Sequence, residues 1–231
     1  MSKTVSDCLV ERLLEWNVRQ IYGYPGDGIN GILGALQRAD APRFVQVRHE
    51  EAAAFMACAH AKLTGRPGVC LATSGPGAIH LLNGLYDAKL DHQPVLAIVG
   101  QQARTALGGH YQQEVDLQTL FKDVASEYIV TVMSPQQLPG VIDRALRIAF
   151  SQQTVTCIIV PADLQEEEYE PPQHAFKQLL TSPGYARPRA PAPDELVQRA
   201  AQVLATRGGG WRSSSGRGPA TRPTRCWRWP S

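Results

Sequence analysis

Long apolar runs, paired cysteines and a leader pattern are all missing from this 231-residue sequence. No run of roughly 18 uncharged apolar residues occurs, so we expect no membrane-spanning helix. The first residues lack a basic stretch followed by an apolar core, which predicts no signal peptide. The five cysteines show no CxxC or histidine-paired spacing, which argues against a zinc ribbon and a disulfide framework. Together these absences predict a cytoplasmic protein.

Acidic residues are absent from the last part of the chain. No Asp or Glu follows Glu195, whereas seven arginines lie in residues 196–231. A basic tail on an acidic body is one pattern of nucleic-acid binding. From Gly208 onward, however, the sequence is rich in Gly, Arg and Pro and has no aliphatic periodicity. We therefore expect residues 208–231 to be disordered, interpret them as a frameshift product, and do not expect nucleic acid as a partner.

Helix and strand patterns alternate through the first 165 residues. Apolar residues spaced as on one helix face alternate with short, nearly continuous apolar runs, which is typical of a parallel sheet covered on both faces. The sequence therefore predicts an α/β fold with a doubly wound, six-stranded, mainly parallel sheet and helices on both faces. The predicted strands are 19–24, 43–47, 68–72, 94–99, 128–132 and 155–160, and the predicted helices are 5–16, 28–39, 50–63, 78–89, 117–121 and 135–150.

Amino-acid composition divides the residues after 165 into a linker and the start of another domain. Residues 166–193 are rich in Glu, Pro and Gln, which is typical of a linker. Residues 194–207 carry a capped amphipathic helix pattern, which predicts the start of another domain. We therefore expect one domain over residues 1–165, a linker over 166–193, and the start of a central domain, truncated, over 194–207.

Unusual chemistry is concentrated in the loops that follow the predicted strands, where doubly wound sheets bind their ligands. The turn 74–77 reads Ser-Gly-Pro-Gly and opens a helix, whose first N–H groups attract anions. Its proline instead favours contact with the flat face of an aromatic ring. Glu50 and Glu51 directly follow a buried strand and precede Ala-Ala-Ala-Phe. One of these two carboxylates is expected to face an apolar pocket, where it could share a proton with a ligand nitrogen.

The turn Gly26–Gly31 supports an alternative function. It matches GxGxxG between a strand and a helix, and Glu50 or Glu51 follows about twenty residues later, as in dinucleotide-binding domains. Yet a helix precedes the first strand, Pro25 occupies the turn, and a tight strand-to-helix turn explains the glycines equally well. A dinucleotide-binding oxidoreductase is one alternative, and a non-catalytic interaction protein with a basic tail is another.

Histidine and cysteine positions give no metal-site pattern. His49, His80 and His92 are not linked by HxxH or HxxE spacing, so we expect structural histidines rather than metal ligands. Cys70 and Cys157 lie in predicted strands and are expected in the core. No metal ligand is therefore predicted in this chain.

Five motifs occur together in this order: Tyr24-Pro25-Gly26, Val47-Arg48-His49-Glu50-Glu51-Ala52, Leu63-Thr64-Gly65-Arg66-Pro67-Gly68-Val69-Cys70, Ser74-Gly75-Pro76-Gly77 and Asn83-Gly84-Leu85-Tyr86-Asp87-Ala88. They resemble the N-terminal domain of thiamine diphosphate-dependent enzymes, the family of pyruvate oxidase and acetolactate synthase. The resemblance covers residues 4–164, and the 48–51 run with His80 leans toward pyruvate oxidases. It implies a domain that binds the aminopyrimidine ring of the cofactor within an enzyme that decarboxylates a 2-keto acid, pyruvate above all.

The same resemblance implies roles for individual residues. Glu50 corresponds to the glutamate that hydrogen-bonds the aminopyrimidine ring, and Gln113 corresponds to a glutamine that reaches the substrate. The residue before that glutamine is usually phenylalanine in pyruvate oxidases, so Gln112 departs from the pattern and leaves the exact keto acid open. The expected catalytic residues are Glu50 and Gln113, and the expected cofactor contacts are Pro25, Gly26, Glu50, Thr73, Ser74, Gly75, Pro76, Gly77 and Asn83.

Other parts implied by the resemblance are not matched in this sequence. The family binds diphosphate and Mg²⁺ through Gly-Asp-Gly followed at a set distance by Asn, and Gly26-Asp27-Gly28 has no such Asn after it. We therefore expect this chain to be inactive alone. In full-length relatives of the pyruvate oxidase type, a central domain that would begin near Ala192 carries FAD. A homodimer or homotetramer is also implied.

Overall fold

The computed structural model describes residues 2–172, 181–186 and 191–206. The expectations for residues 208–231 lie outside this range. Each helix and strand predicted from the sequence is present, with small shifts at the ends. The elements are α1 (Val5–Glu15), β1 (Gln20–Gly23), α2 (Asn30–Arg38), β2 (Arg43–Gln46), α3 (Glu50–Thr64), β3 (Gly68–Ala72), α4 (Pro76–Leu90), β4 (Val95–Gln101), α5 (Leu117–Phe121), β5 (Ile129–Thr131), α6 (Leu138–Gln152), β6 (Val155–Pro161), α7 (Ala162–Glu166) and α8 (Asp194–Thr206).

The six strands form one sheet in the order β2-β1-β3-β4-β6-β5, and every pair is parallel. Strands β3, β4 and β6 are buried along their whole length. Because helices cover both faces of these strands, nearly every residue in them is apolar. The edge strands β2 and β5 contain no fully buried residue. The predicted doubly wound α/β sheet is confirmed.

One face of the sheet is covered by α1, α2, α6 and α7, and we call it the large-residue side. Its cluster consists mainly of long aliphatic side chains, among them Leu9, Leu13, Ile32, Ile142 and Leu146. Asp143 is fully buried within it on α6. Its carboxylate accepts hydrogen bonds from Arg12 Nε at 2.9 Å and from Trp16 Nε1 at 2.7 Å. A second oxygen pairs with Arg12 Nη2 at 2.6 Å, which ties α1 to α6.

The other face is covered by α3, α4 and α5, and we call it the small-residue side. Every buried apolar residue that α3 supplies is small, namely Ala53, Ala54, Ala57, Cys58 and Ala61. Gly84 on α4 allows the closest approach, since a Cβ atom there would lie 2.6 Å from the backbone nitrogen of Phe55. Close contact between α3 and α4 therefore depends on small residues at this seam.

Helix α1 begins with a reciprocal cap. Thr4 Oγ1 accepts a hydrogen bond from Asp7 N at 3.2 Å, and the Asp7 carboxylate accepts one from Thr4 N at 2.9 Å. Thr4 is therefore the N-cap residue of α1. Arg38 from α2 donates a further bond to Asp7 at 2.6 Å. The Asp7 carboxylate therefore joins the start of α1 to the end of α2.

The last strand is tied to the loop after β1 by Gln165 on α7. This side chain is almost completely buried. Its Nε2 donates to the carbonyl oxygens of Gly28 at 2.8 Å and Val160 at 3.1 Å. Its Oε1 accepts from Ile32 N at 3.4 Å. One amide therefore satisfies backbone groups of β6 and of the segment 28–32, which are far apart in sequence.

Helix α8 differs from all of these, because its side chains are exposed throughout residues 194–205. Its apolar residues Leu196, Val197, Val203 and Leu204 are each at least half exposed. Within the described part of the chain, no helix is long and apolar enough to cross a membrane.

Candidate functional site

The loops after β1 and β3 meet at the carboxyl edge of the sheet because these two strands are neighbours. Thr73, the first residue after β3, contacts the loop after β1. Gly28 N donates to Thr73 Oγ1 at 2.9 Å. A Cβ atom on Gly26 would lie 2.6 Å from Thr73 Cβ. Only glycine at position 26 lets the two loops close in this way.

The turn Ser74–Gly77 lies at the same edge of the sheet. We call this region at the carboxyl ends of β1 and β3 the crevice, because doubly wound sheets bind their ligands there. Ser74 is fully buried, and its hydroxyl accepts a hydrogen bond from Gln102 Nε2 at 3.1 Å. Gly75 has a φ of +65°, which side-chain-bearing residues rarely adopt. A Cβ atom there would lie 2.7 Å from the carbonyl oxygen of Gln113. The structure therefore brings Gln113 against the turn, and Pro76 begins α4 with an exposed ring.

Glu50 is the first residue of α3 and is only 8% exposed. Its Oε2 lies 3.0 Å from His80 Nδ1 on α4. Its Oε1 faces Gly77, where a Cβ atom would be 3.2 Å away. Among the described residues, His80 alone forms a hydrogen bond with this carboxylate. A buried acceptor without a protein donor is costly, so Oε1 is positioned to receive a hydrogen bond from a ligand.

Glu51 has a different environment, although it is the next residue. Its side chain is 39% exposed. It accepts a hydrogen bond from Asn83 Nδ2, and its Oε2 lies 3.9 Å from His49 Nδ1. Consecutive residues of a helix point about 100° apart, so only one of the two carboxylates faces the crevice. Asn83, predicted as a cofactor contact, bonds the outward-facing carboxylate.

His49 and His80 are site residues that sequence spacing did not reveal. Their rings stack with centroids 4.4 Å apart and planes at 29°. His49 also caps α3, because its Nδ1 accepts a hydrogen bond from Glu51 N at 3.3 Å. The spacing of these two histidines in the sequence did not predict that their rings touch. Both α3 and α4 begin at the same edge of the sheet, and that topology brings the rings together.

The loop after β4 is held by two acidic side chains that the sequence did not single out. Glu114 accepts hydrogen bonds from Gly108 N at 2.6 Å and Tyr111 N at 2.9 Å, and these bonds hold the pKa of its carboxyl below its usual value. Asp163 on α7 accepts from Arg104 Nε at 2.8 Å. These contacts fix the loop that carries Gln113, whose φ is +63°.

A doubly wound parallel sheet with a buried carboxylate beside a Gly-Pro-Gly turn at its carboxyl edge defines a cofactor-binding α/β domain. The family described as "Thiamine pyrophosphate enzyme, N-terminal TPP binding domain" matches residues 3–120. This match covers just over half of the chain, so the chain belongs to the thiamine pyrophosphate enzyme family and contains its N-terminal cofactor-binding domain.

Individual relatives agree with the family. The chain is 41% identical to pyruvate oxidase of Lactiplantibacillus plantarum over 198 residues, which cover 85% of this chain and 32% of that protein. It is 36% identical over 191 residues to the chloroplastic acetolactate synthase of Arabidopsis thaliana, covering 82% of this chain and 28% of that protein. It is also 41% identical over 203 residues to YdaP of Bacillus subtilis, covering 87% and 34%. The chain thus spans about a third of the length of these curated relatives.

These matches confirm the resemblance inferred from the motifs and do not favour the two alternatives. The dinucleotide interpretation required free N–H groups at the turn Gly26–Gly31. Instead, Gly28 N is bound to Thr73 Oγ1, and Ile29 N is bound to the carbonyl oxygen of Gly26 at 3.1 Å. These glycines therefore serve the close approach of two loops.

Proposed function

We propose that this domain binds the aminopyrimidine ring of thiamine diphosphate, also called thiamine pyrophosphate, at the carboxyl ends of β1 and β3. It does so as the N-terminal part of an enzyme that decarboxylates a 2-keto acid, pyruvate or a close relative, in the manner of pyruvate oxidase and acetolactate synthase. The observation that carries the proposal is Glu50, a buried carboxylate with one oxygen on His80 and the other directed to the crevice.

The walls of the crevice suit a flat heterocycle. One wall is the backbone of the loop at Pro25 and Gly26, and the other is the turn that begins α4. Both lack bulky side chains, so a ring can approach the backbone closely. Gln113 lies against the turn and is positioned to reach a substrate. The proposed contacts are Pro25, Gly26, Glu50, Thr73, Ser74, Gly75, Pro76 and Gly77. Asn83, also expected from the resemblance, is left out of this set, because it bonds the outward-facing carboxylate of Glu51.

The chemistry follows from these positions. When bound, thiamine diphosphate supplies the electron sink for decarboxylation. Glu50 Oε1 binds a ring nitrogen of the aminopyrimidine and exchanges a proton with it. His80 fixes the carboxylate through Oε2, and burial of Glu50 keeps competing water away from it.

The remaining parts of the enzyme are proposed by analogy with the family. Diphosphate and Mg²⁺ would be bound by residues outside this chain, and FAD, if the enzyme is of the oxidase type, by the central domain. We propose residues 1–165 as the pyrimidine-binding domain, 166–193 as a linker and 194–207 as the start of the central domain. We also propose that the full-length enzyme is a cytoplasmic homodimer or homotetramer.

Binding of the cofactor by the 231-residue chain tests the proposal directly. Thiamine diphosphate with Mg²⁺ should bind weakly, because the diphosphate contacts are missing, and pyruvate should not be turned over. Saturation-transfer NMR detects weak binding and identifies which ring touches the protein. The pyrimidine protons should receive saturation, whereas NAD at the same concentration should receive none. Saturation of NAD instead would contradict the proposal. Turnover of pyruvate would contradict only the part that places the diphosphate and Mg²⁺ contacts outside this chain.

The role of Glu50 is tested by comparing Glu50→Gln with Glu51→Gln. In an enzyme that joins this domain to the diphosphate-binding part, Glu50→Gln should slow exchange of the cofactor C2 proton about 10²–10⁴-fold, the range for general acid–base contributions. Glutamine keeps the shape but cannot share the proton. Glu51→Gln is the matched control and should change exchange little. Equal losses in the two variants would refute the assignment.

A further inference from the structure

The side chains of His49, Glu50 and His80 form a compact cluster at the mouth of the crevice. Each offers one ligand atom, and these three atoms lie within 4.8 Å of one another. In the part of the chain that the structure describes, this is the one group of three or more His, Cys, Asp or Glu residues with such spacing. The cluster therefore has a property that pyrimidine binding does not require.

The chemistry of the cluster matches a specific class of ion. Two imidazoles and one carboxylate are the ligand set that Zn²⁺ takes in many sites with an open fourth position. Imidazole favours Zn²⁺, Cu²⁺ and Ni²⁺ over Mg²⁺, which prefers oxygen ligands. A bound Mg²⁺ would not select this cluster.

The geometry needs little adjustment. Tetrahedral Zn²⁺ with bonds of about 2.0–2.1 Å places its ligand atoms about 3.4 Å apart. His80 Nδ1 and Glu50 Oε2 are already 3.0 Å apart. Glu50 is a buried, fixed ligand, whereas His49 and His80 are exposed and can rotate. Moving the His49 ring would break its long 3.3 Å bond with Glu51 N and disturb its 3.9 Å contact with Glu51 Oε2 and its stacking on His80.

We propose that His49, Glu50 and His80 bind one divalent transition-metal ion of the Zn²⁺ type. The ion occupies the open mouth of the crevice, so water or a small anion can complete its coordination. A consequence, which rests on the proposed function, is inhibition: the ion takes the Glu50 carboxylate that the pyrimidine ring needs, so zinc and thiamine diphosphate exclude each other.

Titration calorimetry with ZnCl₂ on the tag-free 231-residue chain, without cofactor, tests the site. His80→Gln and His49→Asn each remove one ligand, and asparagine preserves the helix cap. His92→Asn is the matched control, because His92 is exposed and its φ of 53° is one that asparagine tolerates. CoCl₂ provides a second readout through the visible absorption of bound Co²⁺.

We expect one Zn²⁺ per wild-type chain at this site. Each ligand variant should weaken its affinity at least about 10–100-fold, the loss seen when even the supporting residues of metal sites are changed. His92→Asn should leave affinity and the Co²⁺ spectrum unchanged. Wild-type affinity in both ligand variants, or an equal loss in His92→Asn, would overturn the proposal. Circular dichroism checks folding, and His49→Asn decides the outcome if His80→Gln is unfolded.

The competition arm separates the two proposals. Zinc should remove the NMR saturation of the pyrimidine ring in the wild-type chain. A chain that binds zinc but never thiamine diphosphate would reject the proposed function and leave the metal site standing. Saturation of the pyrimidine ring without any zinc binding would reject the metal site and leave the proposed function standing.

Discussion

The two sides of the sheet are both covered by helices, but the helices pack through different residues. The large-residue side fills its volume with leucine and isoleucine and adds one buried charged pair between Arg12 and Asp143. On the small-residue side, the seam between α3 and α4 uses alanine and glycine, so the two helices approach each other at backbone distance, while larger side chains such as Leu85 and Phe121 fill the rest of that core. Glu50, His49 and His80 are all on the second side. Small residues therefore bring the functional groups together, and the large-residue side mainly supplies stability.

Asp143→Asn should be the most damaging of three substitutions that test this contrast. It leaves Arg12 beside a buried neutral group, and breaking a buried ion pair typically costs about 3–5 kcal/mol. Glu15→Gln is the matched control, because Glu15 is the other, exposed partner of Arg12, and its loss should cost less than about 1 kcal/mol. Urea unfolding measures both. Similar losses of unfolding free energy in the two variants would show that the buried Asp143 pair is not a special source of stability on the large-residue side.

Gly84→Ala should have the next largest effect and act on the site as well. The added Cβ would contact the backbone of α3 at 2.6 Å, and such overpacking usually costs about 1–3 kcal/mol. Gly34→Ala is the control: its Cβ would meet only the flexible end of Arg38, so it should stabilise α2 by up to about 1 kcal/mol.

A second measurement on Gly84→Ala separates the two sides. Because the substitution pushes α3 from α4, pyrimidine binding should weaken as well as stability. Asp143→Asn, measured at a temperature where it is folded, should keep normal binding. A Gly84→Ala protein with reduced stability and normal binding would show that the seam does not position Glu50 and His80.

The smallest expected effect depends on pH and concerns Asp7 on the large-residue side. Burial raises the pKa of Asp7, but hydrogen bonds from Thr4 and Arg38 outweigh it, so the net pKa lies below 3.8. A carboxylate with a lowered folded-state pKa stabilises the fold above its unfolded pKa and loses that effect as the pH falls.

Asp7→Asn should therefore cost about 1 kcal/mol at about pH 6, the usual value of a helix cap, and less at about pH 3. Unfolding free energies at the two pH values give the difference. The exposed Asp40→Asn substitution is the control, and its cost in unfolding free energy should be within about 0.5 kcal/mol, as for other surface substitutions. A cost for Asp7→Asn that stays constant between the two pH values would contradict the assignment.

Elements with a clear apolar period were predictable from sequence, and contacts between distant segments were not. The run 155–160 identified β6 because both of its faces are buried, but nothing in it shows that β6 lies between β4 and β5. Helix α7 was missed, since five residues after a proline carry too little periodicity.

The candidate site shows the same division. Glu50 and the turn Ser74–Gly77 were found from local motifs, and the structure brings Gln113 to them. The stacking of His49 on His80 was not found, because it depends on where two helices begin along the sheet. The support of the Gln113 loop by Arg104 and Asp163 is equally non-local, since these residues are 59 positions apart.

The Gln165 side chain has a consequence for how the domain is made. The loop after β1 appears early in synthesis, yet one of its carbonyl groups finds its hydrogen-bond donor 137 residues later. Until then the carbonyl group of Gly28 lacks its native hydrogen-bond donor. The cofactor crevice therefore cannot reach its final shape while the ribosome is still translating the domain. It forms when the last strand enters between two strands already made, and closure of the sheet and completion of the binding site become a single late event.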